Sequence, residues 1–268
     1  MTHRSVALAL SIALPACGAP PAPSAPADPI PAHESFTIES RVLGESRLIN
    51  VHVPRGRSGA PLPVLFMPDG GLDEDFPHVV AAVESLIERG AIRPVIVVGI
   101  PNTQRRRDLT GATHVAAELA AAPVVGGSAA FRRFVRDELV PEIGRRYRTT
   151  SERSIVGESL AGLFVVETFL EDPSLFTHCV AFDPSLWWNK GALVAAAPAR
   201  LKSIDAAPRT LYLASSRDDI DDDTTRFAAC VRDAALPGLR FRHDPRPDLT
   251  HATIFRALEL TALEDALR

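Results

Sequence analysis

The stretch Ser154-Ile155-Val156-Gly157-Glu158-Ser159-Leu160-Ala161-Gly162-Leu163 constrains this chain more than any other. A β-branched apolar run stops at a glycine, a serine follows after one residue, and small residues then lead into a helix-like apolar stretch. That is the pattern of a nucleophile elbow, G-x-S-x-G, where a strand turns sharply into a helix and holds a serine at the tip. Small residues flank the serine because the turn brings the two backbones almost into contact. The serine itself is held in a strained conformation that exposes its oxygen. Here the second small position is Ala161, with Gly162 behind it. An ordinary strand, glycine turn and helix with an incidental serine has the same local form, so the rest of the chain must decide.

Around the elbow the pattern alternates. Phe36–Leu43 and Arg47–Val53 predict an initial antiparallel pair turning at Gly44-Glu45. Strands are then expected at Pro63–Met67, at Pro94–Ile100, through Ile155-Val156, and at Cys179–Phe182, Thr210–Ser215 and Arg240–His243. Helical periodicity runs through Phe76, Val79, Val80, Val83, Leu86 and Ile87, and again through Phe131, Phe134, Val135 and Leu139. Leu160–Leu170 is apolar on nearly all sides, as a helix buried behind a central strand should be. Further helices fit Thr224–Ala235 and Ala252–Ala266. Strands alternating with helices give an α/β fold of three layers around a mostly parallel sheet. The polar, Arg-rich stretch Pro101–Gly127 reads as one long irregular surface loop, the kind that tends to be functional.

The N-terminal residues read differently. Thr2-His3-Arg4 precedes a short apolar core from Val6 to Leu14, too short for a membrane-spanning helix of about 20 residues but ordinary for an export signal. Leu14-Pro15-Ala16-Cys17 resembles the bacterial lipobox, with Cys17 as the lipidated residue; a plain signal cut near Ala16 or Ala19 is the alternative. Residues 18–33, almost wholly Ala and Pro up to Pro31, form an extended tether. The catalytic domain is expected over residues 34–268, facing the periplasm or exterior on a lipid anchor.

Composition narrows the partners. A net charge of -4 and no basic run interleaved with aromatics give no reason to expect nucleic acid. No Cys or His cluster has metal-ligand spacing, so neither a metal nor a cofactor is expected. With Cys17 lipidated, Cys179 and Cys230 are open as a disulfide or as two separate buried thiols.

A serine hydroxyl needs a base to take its proton, and imidazole is the usual one. Where an elbow serine stands on a parallel sheet, the partners follow it in the order acid, then histidine, on loops at the carboxyl ends of later strands. His251 lies after the last predicted strand and directly before the final helix, and His243 is the fallback. The acid is expected after Thr210–Ser215, within Ser216-Arg217-Asp218-Asp219-Ile220-Asp221-Asp222-Asp223. Asp219 is preferred over Asp218, and Asp221 to Asp223 suit the acidic first turn of the next helix. The oxyanion needs two backbone donors. Leu160 supplies one, and Gly71, in Pro68-Asp69-Gly70-Gly71-Leu72, is the candidate for the other; Gly70 and Gly71 equally fit a simple turn.

Further motifs recur with the elbow: Met67-Pro68-Asp69-Gly70, Gly99-Ile100-Pro101-Asn102-Thr103 leading into Arg105-Arg106-Arg107-Asp108-Leu109-Thr110, Asp183-Pro184-Ser185-Leu186-Trp187-Trp188-Asn189, and His251-Ala252-Thr253-Ile254. Together, from about Phe36 onward, they resemble the esterase D-type branch of the α/β-hydrolases, which includes the enterochelin esterases. The resemblance implies a serine hydrolase acting on small-molecule esters, with Ser159 and His251 as its catalytic pair. Ala161 departs from the commoner glycine, and some members of the branch use a displaced acid. Trp187 and Trp188 are open as a substrate wall or as core under their loop. Arg105 and Arg107 are open as carboxylate binders or as partners of Asp108 that fix the loop. Acyl transfer and a non-catalytic binding role are the competing functions.

Overall fold

A computed structural model of the chain describes residues 28–55 and 59–268. The export signal, Cys17 and most of the predicted tether lie outside the described residues. Eight strands form one sheet in the order β1-β2-β4-β3-β5-β6-β7-β8. β1 (Glu34–Ser40) and β2 (Glu45–His52) make the expected antiparallel pair. β3 (Leu62–Pro68) precedes α1 (Phe76–Glu88), and β4 (Ile96–Ile100) follows. β2 runs antiparallel to β4, while every pairing from β4 through β3 to the far edge is parallel.

The chain between β4 and β5 is not the single irregular loop that its composition suggests. It carries two one-turn helices, α2 (Arg105–Leu109) and α3 (Ala116–Ala120), and then α4 (Ser128–Phe134). A π turn, Val135–Leu139, joins α4 to α5 (Val140–Arg146). Pro141 explains that widened turn: it has no N–H to give residue 137, and its ring would crowd the carbonyl there in a regular helix. β5 (Thr149–Glu158) runs into α6 (Leu160–Glu171) with Ser159 alone between them. β6 (His178–Phe182), α7 (Trp188–Leu201), β7 (Arg209–Ser216), α8 (Asp223–Ala234), β8 (Leu239–Arg246) and α9 (His251–Leu267) complete the domain.

Two apolar layers enclose the sheet. On one face Phe131 and Phe134, the α6 residues Phe164, Val165 and Phe169, and Phe227 of α8 pack against Val64, Phe66, Ile155 and Leu211. On the other, Phe76, Val80 and Val83 of α1 and Ile254, Leu258 and Leu263 of α9 cover Leu65, Val97, Val156 and Tyr212. At about 25 cal/mol per Å² these layers hold the three-layer sandwich together. Strands β3, β4 and β7 are buried along their whole length, and β3 and β4 accordingly read as continuous apolar runs. Cys179 and Cys230 are both free thiols, so the disulfide reading is set aside. No helix of the described residues is long and apolar enough to cross a membrane.

Candidate active site

The elbow is present in backbone geometry. Ser159 has φ 59° and ψ -120°, a left-handed conformation that a serine adopts only under constraint. Its N–H donates to Phe182 O at 3.0 Å, its C=O accepts from Leu163 at 2.8 Å and from Ser185 at 3.0 Å, and these bonds hold the strain. Gly157 is required: a methyl there would stand 2.7 Å from both Cβ and the carbonyl carbon of Ala161. Ala161 is fully buried, so its methyl fills the space that Gly157 leaves open. Gly162 sits where a Cβ would lie 3.1 Å from Phe182 O and Pro184 Cα, so the third small residue lets α6 approach the loop after β6.

β6 lies between β5 and β7, with Phe182 opposite both Glu158 and Ala214. The next residue, Asp183, therefore leaves the sheet beside Ser159, in a left-handed conformation with φ 42°. His251 enters from the N-terminus of α9, which Thr250 and Thr253 close with a reciprocal capping box. Its Nδ1 lies 2.8 Å from Asp183 Oδ2. Asp183 is 5% exposed, and it also accepts from the Ser216 N–H at 2.8 Å and the Ser216 hydroxyl at 2.7 Å. Burial raises the Asp183 carboxyl, but the hydrogen bonds from His251 and Ser216 outweigh it and leave it below the usual carboxylate range. The same contact raises His251 above its ordinary value against burial, with Glu158 and Asp218 adding to it.

Asp219, expected to orient His251, does something else. Its carboxylate accepts from the N–H and hydroxyl of Thr224 at 3.2 and 2.9 Å and from the Thr225 N–H at 3.4 Å, which caps α8. Asp218 accepts the His251 backbone N–H at 2.8 Å and so anchors α9, not the imidazole. His243 bonds Ser215 through Nε2 at 2.9 Å and does not line the cleft. Asp183 was missed although its motif was in view. The signal was a lone Asp-Pro at the carboxyl end of the strand beside the elbow, and the aspartate-rich run drew the assignment one strand too far.

The other expected residues divide. The Leu160 N–H, at the first position of α6, is one of the helix donors without an intrahelical acceptor and is suited to an oxyanion. The Gly71 N–H instead donates to Glu74 Oε2 at 2.7 Å, so Gly71 is not a free donor here. Trp187 lines the cleft, whereas Trp188 is 4% exposed and donates its indole N–H to Gly111 O at 2.8 Å as part of the core. Arg107 is not available to a substrate: its guanidinium pairs with Glu45 at 2.9 and 2.6 Å and with Asp108 at 2.6 Å. Arg105 clasps Asp69 through two bonds of 2.7 Å, and Asn102 bridges Asp69 and Glu74 at 2.5 and 2.7 Å. The Asp-Gly and Asn-Thr motifs are thus one bracket joining the loops after β3 and β4.

Ser159, Asp183, Ser185, Trp187, Asp218, Asp219 and His251 line one cleft of about 290 Å³ at the carboxyl ends of the strands. The Ser159 hydroxyl lies 3.3 Å from that of Ser185. Among the described residues no group of acids, histidines and cysteines could hold a metal ion.

Residues 40–228 match the putative esterase family, and the chain belongs to it. It is 30% identical over 181 residues to the ferri-bacillibactin esterase BesA of Bacillus subtilis, a match covering 60% of this chain and 61% of the relative. It is 28% identical over 182 residues to the siderophore triacetylfusarinine C esterase of Aspergillus fumigatus, covering 60% of this chain and 58% of the relative. The matched stretch thus spans less than two thirds of these curated relatives. Among solved structures, an IroE-like serine hydrolase from Shewanella oneidensis superposes with a TM-score of 0.78 at 27% identity, over 88% of this chain and 79% of that one.

Proposed function

We propose that this chain is a serine esterase acting through an acyl-enzyme. Ser159 Oγ attacks the ester carbonyl as His251 takes its proton, and the alcohol leaves carrying that proton. Water, deprotonated by the same imidazole, then attacks the acyl-enzyme; the acid is released and Ser159 regains its hydrogen. Asp183 holds Nδ1–H and stabilises the imidazolium between these steps. The Leu160 N–H stabilises the oxyanion. The observation that carries the reading is the His251–Asp183 pair, set in one cleft with a serine strained into positive φ. The relatives' printed activities support esters of siderophore type as substrates; esters of small acyl groups are the other candidates, and Trp187, which lines the cleft, is one wall of their site. Export and anchoring through Cys17 belong to the same proposal and rest on Leu14-Pro15-Ala16-Cys17. The test is hydrolysis of p-nitrophenyl esters together with fluorophosphonate labelling, both of which Ser159→Ala should abolish while the protein stays folded. Full activity in that variant would overturn the serine mechanism.

A further inference from the structure

The oxyanion of the tetrahedral intermediate calls for two preorganised donors. The Leu160 N–H, at the first position of α6, is one. The Gly71 N–H, expected as the other, is spent on Glu74 Oε2 at 2.7 Å, and Asn102 holds the second oxygen of that carboxylate at 2.7 Å. Among the described residues, none from the loops after β3 and β4 lines the cleft.

β6 flanks β5 on the side away from β3, and the loop after it brings Ser185 to the nucleophile. Ser185 lines the cleft and is 4% exposed. Its backbone is fixed on both sides: the N–H donates to Ser159 O at 3.0 Å, and the C=O accepts from the Trp188 N–H at 3.1 Å. The Leu163 N–H donates to the same Ser159 carbonyl at 2.8 Å, so Ser185 lies against the first turn of α6, the end that also presents Leu160. That end of a helix carries partial positive charge. The Ser185 hydroxyl stands 3.3 Å from Ser159 Oγ, longer than the roughly 2.5–3.0 Å usual for O–H···O bonds. It has no other hydrogen-bond partner among the described residues, whereas Ser215 and Ser216 spend their hydroxyls on His243 and Asp183. Its proton is therefore available to an acceptor that forms closer by.

We propose that the Ser185 hydroxyl is the second oxyanion donor, a catalytic residue in the place from which Glu74 withholds the Gly71 N–H. The proposal rests on Ser159 being the nucleophile. As Ser159 Oγ bonds to the carbonyl carbon, its proton passes to His251 Nε2 and the C=O π pair moves onto the carbonyl oxygen. Leu160 N–H and Ser185 O–H donate hydrogen bonds to that oxygen and keep their protons. The pair returns to the C=O bond as the alcohol leaves with the proton from His251.

The test compares p-nitrophenyl butyrate with its thiono analogue, O-(4-nitrophenyl) thionobutyrate, on the full chain. Sulfur accepts hydrogen bonds weakly, so the thiono ester draws little from either donor. Ser185→Ala should lower kcat and kcat/KM on the oxo ester together by about 10²–10³, with KM little changed, as for a bond made only in the transition state. The thiono rate should fall far less, so the oxo-to-thiono ratio of kcat/KM should drop by about tenfold or more. Ser185→Cys, close to serine in shape and with a weak S–H donor, should fall between, and it carries the test if the alanine variant does not fold. A ratio that these variants leave unchanged, whatever the loss of rate, would overturn the proposal, because a packing role slows both esters alike. So would a wild-type protein that labels at Ser159 with a fluorophosphonate yet shows no preference for the oxo ester. Absence of that labelling would instead overturn the serine esterase reading beneath it.

Discussion

His251 Nδ1 stands 2.8 Å from Asp183 Oδ2, and that carboxylate is 5% exposed and bonded twice more by Ser216. In the proposed mechanism the acid is therefore Asp183, directly after the strand next to the elbow, one strand earlier than the aspartate-rich run after β7. Asp183→Asn should leave the backbone in place yet favour the wrong imidazole tautomer, a change that lowers kcat by up to ~10⁴ in the chymotrypsin-type template. Asp219→Ala removes the acceptor of the Thr224 and Thr225 donors at the start of α8 and should cost about 0.5–2 kcal/mol of stability, with kcat on an uncharged ester little changed. Measuring kcat at constant folded fraction separates the two. Equal losses would return Asp219 to consideration.

The pH profile follows from the same pair. His251 must be neutral to accept the Ser159 proton, and the Asp183 contact first, against burial, lifts its pKa above 6.5. The limb of kcat/KM should therefore rise with pH through a midpoint above 6.5. Glu158→Gln removes a neighbouring carboxylate that favours the imidazolium, so the midpoint should move to lower pH. A limb that Glu158→Gln leaves in place would remove Glu158 from this role.

Stability has a separate pH dependence, in His78. It is 3% exposed, with Nδ1 2.5 Å from Glu259 and Nε2 3.2 Å from Asp75. Burial lowers its pKa, but these two acids prevail and raise it from 6.5 to about 9. The folded value lies above the unfolded one, so the stabilisation is complete below 6.5 and disappears as pH rises through about 9. Chemical denaturation should show stability falling by roughly 2–3 kcal/mol across that window. His78→Gln should flatten the curve; an unchanged slope would exclude His78 as its source.

At the elbow, Gly157→Ala should destabilise the fold by about 1–3 kcal/mol or more and lower activity with it. Adding Ala161→Gly should rescue only part of this, because the added methyl also stands 2.7 Å from the backbone carbon of residue 161. Thermal unfolding of the single and double variants decides; full rescue would mean that the side-chain clash alone matters.

For the proposed anchor, Cys17→Ser should move the protein from the membrane fraction to the soluble fraction of cells expressing the full chain. A wild-type protein that is soluble, with its mature N-terminus beyond residue 17, would refute lipidation.

Much of the architecture was legible because its signals are local. The run from Ser154 to Leu163 announces strand, turn and buried helix in ten consecutive residues, and α9 begins one residue before its expected start. What was not legible depends on which loops meet in space. Nothing in the β2 sequence says that it pairs with β4 rather than with β3, since alternation suits an antiparallel strand without naming its partner. Asp183 is recognisable as the partner of His251 only once β6 is placed beside β5. Arg105 and Arg107, charged and far from any apolar pattern, look free in sequence and are committed to Asp69, Glu45 and Asp108 in the fold.

Placing the acid on β6 changes what the β7–α8 loop is answerable for. In the proposed mechanism proton transfer is confined to residues anchored at strand ends and at the start of α9, while Asp219 and Ile220 border the cleft without bonding the imidazole ring. Length and composition there can drift without disturbing the proton relay. Lineages of such proteins can therefore exchange substrates by rewriting a surface loop while inheriting the reaction centre intact.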